Sequence, residues 1–545
     1  MKATAKALRK GNLSSIGGLQ ILPLDQSKIQ LDRGKLIHPD ELNAGHHVFC
    51  LFKGDYIVDR ITDWKQFNYL PRFKIRDKWV GKTKILGKVK DPHNNLSKVS
   101  LQGNISYMIP DEVAAKFETE LIGKHFCVTT EPEVLDFTSD KQQKLVVMAE
   151  GTRFDVNIPK SDHELSMLVS RLCIPSPGED KNAVIGWNLK SFYSYVLGRL
   201  KFPLKLAGNP IDLKVAESWR GIKDQAPKTF YEAKKRIADC MGDDGWSSFS
   251  KVNKQIYKPL MTEVIPSIET MGMASPTDWL HCSYEIEGQA NARLLCSSNF
   301  KRSFNPHNMS AEIKGSLGTT SPDMNMFMYW DFKSMEVYVL QWLSNCPQLG
   351  KIINESVDIY RGIWKQITGY DCNDKYRETC KKLFLPIVFG AYPKSLSERT
   401  GIKEEIVKEF ISRVYIKFPT AMQWVQDQQE SIDTEKKVKD YFGRIRVFPD
   451  ALYKIRNFAI QSPAAIICLH KLVQLYQVLQ RESLAQIAYH VHDGYVLRTC
   501  NGYRQQTYEV VKQVLESEDD LYPGLRLRVG CEFGANLGEL TPISN

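Results

Sequence analysis

Three segments of this 545-residue chain carry residues that could do chemistry. In FMYWDFKSMEVYVLQWL, the apolar run from Met326 to Trp330 reads as a buried strand with Asp331 at its end. An amphipathic helix should follow, with Met335, Val339 and Leu340 at helical spacing. A carboxylate at a strand end can hold a metal ion in a cleft; the plain alternative is a helix N-cap, which Asp also favours. In AYHVHDGYVLRT, two alternating segments flank Asp493-Gly494, a hairpin signal. An ordinary turn is the plain alternative, yet His490, His492 and Asp493 crowd the tip. In YRETCKKLFLPIVFGAY, Arg377, Lys381, Leu385 and Phe389 stand four apart along one helical stripe. Such a stripe could grip a triphosphate at one end and stack on a base at the other; the plain alternative is a solvated basic turn before a core helix.

In this order and spacing the segments resemble the polymerase motifs of the family A DNA polymerases, the group of bacterial DNA polymerase I and many phage replicative enzymes. LHCSYEIEGQANARL, FNPHN, DIYRGIW, GRIRVFPD, RNFAIQSPAA and RVGCEFGANLGEL also fall in the family's order. The resemblance covers residues 250–545 well and 120–240 more loosely. It implies a right-hand palm and fingers, the fingers spanning about 345–435. Asp331 and Asp493, with the Phe332 carbonyl, would bind two Mg²⁺ ions, Mn²⁺ being a substitute. Phosphoryl transfer uses two such ions about 3.5–4 Å apart, one at the attacking hydroxyl and one at the leaving group. Lys381 is an expected catalytic residue and, with Arg377, would clamp the nucleotide's phosphates. Glu336 matches the steric gate against a ribose 2′-hydroxyl, and Phe389 an aromatic that stacks near the templating base. Leu385 stands where Phe or Tyr is usual, and Tyr360 where a histidine helps bind phosphate. Arg293, Asn457 and Gln461 match groups that read the minor-groove side of the primer-template. Asn305 and Asn308 fall in a template-contacting turn, and His492 would sit beside the primer terminus. Gly494 replaces an acid that usually follows the second aspartate, and Pro386 should kink the fingers helix. These departures suit a divergent, phage-encoded member acting in the host cytoplasm.

Residues 116–245 resemble a 3′–5′ exonuclease domain of RNase H-like fold through FCVTTEPEVLDF, VIGWNLKSF and FYEAKKRIAD. That chemistry needs four carboxylates. Thr129, Phe192 and Lys235 replace three of them and Glu131 remains, so no proofreading is expected. The alternative is a misalignment in which acids such as Asp136 substitute. The helix at 250–266 resembles the last thumb helix, only about twenty residues beyond Tyr231, so the thumb should be shortened.

The elements that must position these groups form an α/β (α+β) multidomain chain: 1–115 basic and β-rich, 116–245 exonuclease-like, 246–545 polymerase. Hydrophobic residues are 43% and charged residues 25%, which excludes wholesale disorder. No apolar run reads as a membrane span, and DDGWSS after residue 242 reads as a linker. Twelve cysteines without CxxC pairs point to a reducing compartment rather than zinc or disulfides. The net charge is +10, and the first hundred residues hold 19 Lys and Arg against 9 Asp and Glu, so the excess sits there. Residues 1–24 read as a flexible arm. From Lys65 to Lys90, nine cations interleave with Phe67, Tyr69, Phe73 and Trp79. This suits phosphate neutralisation with base stacking; a small domain with an aromatic core, or docking to a processivity factor or other replication protein, are the alternatives. The expected partners are thus primer-template DNA and dNTPs, without a membrane. Two rival functions remain: a single-subunit RNA polymerase, which Glu336 disfavours, and a catalytically inactive DNA-binding accessory protein, which the four charged site residues disfavour.

Overall fold

The computed structural model describes segments within residues 15–90 and then residues 126–543, apart from 150–151, 173–183, 202, 205–209, 244, 276–278, 318–323 and 449–452. The chain divides into two units: residues 1–128 with 142–184 and 205–209, and residues 129–141 with 185–204 and 210–545.

In the first unit, seven strands pair in the order Ser15–Ile16, Leu19–Pro23, Ile85–Lys90, His47–Phe52, Asp55–Phe67, Leu70–Ile75, Lys78–Gly81. The first two lie in the segment expected to be a flexible arm, whose Leu-Gln-Ile-Leu run instead adds to the sheet edge. Strand alternation sorts the aromatics. Phe73 is fully buried among Val48, Ile61, Ile75 and Val80, with Trp64 packed against them. Phe73 is therefore core and not a stacking platform. Lys65 pairs across the ladder with Arg72 on the other face, where its ammonium lies 4.3 Å from the centre of the Trp79 ring. The side chains of Phe67 and Tyr69 lie outside the described residues. Strands Lys144–Ala149 and Thr152–Asn157 form an antiparallel pair in the same unit.

In the second unit, helix α1 spans Leu189–Leu200. The buried Asp212 accepts the N–H groups of Asn188, Leu189 and Lys214, so one carboxylate satisfies the starts of two helices. The stretch expected as a linker is helical from Trp246 to Val252 and continues through two π-type turns into α2 (Ile265–Met271). Aromatic packing overrides the Asp-Asp-Gly signal there: Phe249 contacts both Trp246 and Trp219, with ring centres 5.2 and 5.7 Å apart. Lys190 of α1 and Glu269 of α2 form a buried ion pair at 2.9 Å.

Strand β1 (Met326–Phe332) leads into α3 (Met335–Ser344). Helices then fill residues 347–430, among them α4 (Ile359–Thr368) and α5 (Asp374–Val388), the latter with Pro386 inside it. The long helix α6 (Tyr453–Glu482) follows. It is apolar and long enough to cross a membrane, contrary to the reading of the sequence, but 89% of its most apolar window is buried in the protein, as in a core helix. Strands β2 (Ala485–Val491), β3 (Gly494–Thr499), β4 (Val529–Gly534) and β5 (Thr541–Pro542) complete an antiparallel sheet in the order β2-β3-β1-β4-β5. β1 is central, which explains its nearly continuous apolar sequence.

Candidate active site

Alternation along β1 puts Tyr329 and Asp331 on one face, while Met328, Trp330 and Phe332 are buried on the other. Asp331 is opposite Gly494 in β3 and Gly530 in β4, so both flanks of its carboxylate lack side chains. Phe332 ends the strand opposite Val529. The chain then turns through Ser334, with φ of 54°, into α3, whose first turn carries Glu336.

Asp493 arrives on the β2–β3 hairpin. Val491 pairs with Gly494, so His492 and Asp493 form the turn, His492 with φ of 53°. The Asp-Gly signal thus located the hairpin but set its tip one residue late. Because Gly494 pairs with Asp331, the Asp493 turn lies at the Asp331 end of β1. The two carboxylates interact: burial first, and then the charge of Asp493, raises the Asp331 carboxyl to about 7, with Lys381 opposing and Glu336 adding to the rise. Among the described residues, no three His, Cys, Asp or Glu side chains gather as a metal cluster.

The hairpin is anchored from outside the sheet. β2 is an edge strand, and the buried phenol of Tyr284 receives the His490 N–H (2.9 Å) and donates to the His490 carbonyl (2.7 Å). Tyr284 in turn gives its own N–H to Glu269 at 2.6 Å. The His307 and His492 rings lie 4.6 Å apart at 30°. Burial, then His492 and Arg293, lowers His307 to about 4. Burial and His307 lower His490 to about 3, so both are neutral at physiological pH.

The remaining expected site residues divide into groups. Arg293 reaches Glu336 at 3.3 Å, and Asn291, two residues away, donates to Gln461 at 3.2 Å. Asn457 lies one turn before Gln461 on α6, both half-buried. On α5, Lys381 is exposed and within electrostatic reach of Asp331, while Arg377 is ion-paired with Asp358 (2.7 Å) and Glu378 (2.8 Å). Leu385 is half-buried, and Phe389 caps the helix before Gly390. Tyr360 is only 4% exposed, beside Ser334, Glu336 and Arg377, so its hydroxyl is closed off from solvent. Asn305 is engaged within its turn, accepting from His307 N–H and donating to the Cys296 carbonyl; Asn308 is exposed.

Reading the sequence missed Tyr284, Tyr329 and His307. Only Tyr329 carried a local signal, its position two residues before Asp331 on one strand face.

Residues 246–539 match DNA polymerase family A, more than half of the chain. The chain belongs to DNA polymerase family A. Its relatives in that family include the thermostable DNA polymerase I of Thermus filiformis, 27% identical over 37% of this chain and 26% of the relative. The DNA polymerase of Bacillus phage SP01 is 24% identical over 45% of this chain and 29% of the relative. The matches to these family members thus span less than a third of the relatives' length. The POL domain of Pol1 from M. smegmatis, solved in complex with DNA primer-template and dNTP, shares the fold with a TM-score of 0.61 at 13% identity. That match covers 79% of this chain and 98% of the POL domain.

Proposed function

We propose that this family A member is a template-directed DNA polymerase that extends a primer 3′-hydroxyl with deoxynucleotides. The observation that carries the reading is the interaction of Asp331 with Asp493 at one end of the central strand, with Lys381 in reach. The donor set fits divalent cations. Two carboxylates are hard oxygen ligands suited to Mg²⁺ or Mn²⁺, and burial, then the charge of Asp493, raises the Asp331 carboxyl, a cost that a bound cation would offset. Asp331 and Asp493 would hold the ions, with the Phe332 carbonyl beside them. Divalent ions held by these residues would supply activation of the attacking hydroxyl and neutralisation of the leaving pyrophosphate.

The chain's own groups supply the rest. Lys381 neutralises triphosphate charge, and Arg377 exchanges Asp358 for a phosphate when the nucleotide arrives. Glu336, steadied by Arg293, closes the space beside the sugar. Leu385 and Phe389 line the base side, and Gln461, Asn457 and Arg293 face the primer-template. Tyr360 is almost wholly buried, hydrogen-bonded with Ser334 and near the charges of Glu336 and Arg377.

Proofreading is absent in this reading. Phe192 is buried core, Thr129 is buried and uncharged, and Lys235 is a cation where the motif calls for acids; Glu131 is the acid left. Asp136 is occupied by N–H groups of Thr138 and Lys301. The domain division 1–115, 116–245 and 246–545, a phage replicative role in the host cytoplasm, and binding of DNA or a replication protein by the basic first unit belong to the same proposal.

The test is extension of a labelled primer on a defined template with Mg²⁺, comparing dNTPs with NTPs. Templated extension favouring dNTPs is expected. A preference for NTPs would make the RNA polymerase reading the better one, and no extension at all would leave a DNA-binding accessory protein.

A further inference from the structure

Gly494 follows Asp493 directly and stands opposite Asp331. A Cβ built on it would lie 2.8 Å from the Trp330 carbonyl oxygen and 3.0 Å from both Cε2 and the hydroxyl oxygen of Tyr329. The first neighbour is backbone in the central strand, so β3 would have to shift away from β1 to admit a side chain. The second is a ring held between cross-strand neighbours Val496 and Glu532. Tyr329 thus fills the room beside the carboxylate pair that a side chain at 494 would need.

Asp331 has glycine on both cross-strand flanks; the Tyr329 ring fills the space over Gly494, and the Lys333 side chain lies over Gly530. The Tyr329 hydroxyl reaches Asp331 Oδ1 at 3.5 Å, a long hydrogen bond from the same strand face. Tyr329 also lines a cavity of about 280 Å³ shared with Lys314, Tyr489 and Glu532.

We propose that Tyr329 is a positioning residue of this site: its ring takes the place of a side chain at 494, and its hydroxyl orients Asp331 toward bound metal. The Tyr329 ring thus adds to the Trp330 carbonyl in keeping a side chain out of position 494, and its hydroxyl takes over the holding of the strand-end carboxylate. This rests on the polymerase reading for its catalytic meaning, but its packing and metal-binding consequences do not.

The experiment compares wild type, Tyr329→Phe, Gly494→Glu and Tyr329→Ala/Gly494→Glu, with Asp331→Asn as the control that assigns the metal signal. Mn²⁺ binding without DNA is titrated by electron paramagnetic resonance, alongside thermal melting and primer extension. Tyr329→Phe should melt with wild type yet bind Mn²⁺ about three- to tenfold more weakly, as loss of one long hydroxyl bond of ordinary strength implies. Gly494→Glu should melt lower and bind Mn²⁺ poorly, and the double variant should recover part of the binding over it, because the ring contacts are relieved while the Trp330 carbonyl contact remains. Wild-type Mn²⁺ affinity in Tyr329→Phe would overturn the hydroxyl's role. A Gly494→Glu protein as stable as wild type, or a double variant no better than Gly494→Glu, would overturn the exclusion. If wild type fails to extend primers while this pattern holds, the polymerase reading falls and the positioning role stands.

Discussion

Replacing Lys190 with methionine leaves Glu269 buried without its cation. Both side chains are almost wholly enclosed, at 2% and 0% exposure, so water cannot take over the lost charge. Removing one partner of such a pair costs about 3–5 kcal/mol. Glu269 keeps the Tyr284 N–H and the Ser194 hydroxyl, which places the expected loss at the lower end. For large domains each kcal/mol moves the melting midpoint by about 2–4 °C, so about 3 kcal/mol gives a fall of roughly 6 °C or more. Because Tyr284 bridges Glu269 to His490, three residues before Asp493, the rate of primer extension should fall as well. The assay is calorimetric melting of Lys190→Met beside Lys190→Met/Glu269→Gln, in which both charges are gone and the amide oxygen still accepts the Tyr284 N–H. The double variant should regain most of the loss, since the unpaired buried charge is what makes breaking such a pair costly. A Lys190→Met protein that melts with wild type would refute the reasoning, as would a double variant less stable than the single one.

Three other outcomes follow from the site. Asp331 is raised from 3.8 to about 7, so between those values the folded protein binds a proton that the unfolded chain has released; the metal-free protein should lose stability as pH rises through this window. Since metal competes with that proton, Mn²⁺ affinity should rise about tenfold per unit up to pH 7 and then level, and a flat titration would contradict this. Tyr284→Phe strips both backbone partners from His490 at the sheet edge, costing about 1–3 kcal/mol and slowing extension; unchanged melting and rate would argue against the anchor. A primer with a mismatched 3′ end should stay full length without dNTPs, and its steady shortening would reveal an exonuclease.

What the sequence made legible was local. The apolar run ending in Asp331, the alternation around the hairpin and the cationic stripe of α5 are patterns within one element, and each element formed where expected. The hairpin tip fell one residue away because Gly494 was read as a turn residue, whereas Tyr329 and the Trp330 carbonyl make it the strand residue that must lack a side chain. The missed or misread features depend on partners distant in sequence. Lys190 looks like a surface cation until Glu269 meets it, 79 residues on. Arg377 looks free until Asp358 from the preceding helix pairs with it. Phe73 and Trp79 fall on opposite faces only once strand register is known, since a shift of one residue would exchange them. The helix at 246–252 depends on Trp219, supplied by another element.

The central claim is that Asp331 and Asp493 jointly make the metal-binding centre. Single-turnover extension of a pre-bound primer-template by Asp331→Asn and Asp493→Asn tests it most directly. Each substitution should slow extension by about a thousandfold or more, equivalent to about 4 kcal/mol of lost transition-state stabilisation, while DNA binding is retained. Extension at the wild-type rate by either variant would contradict the account.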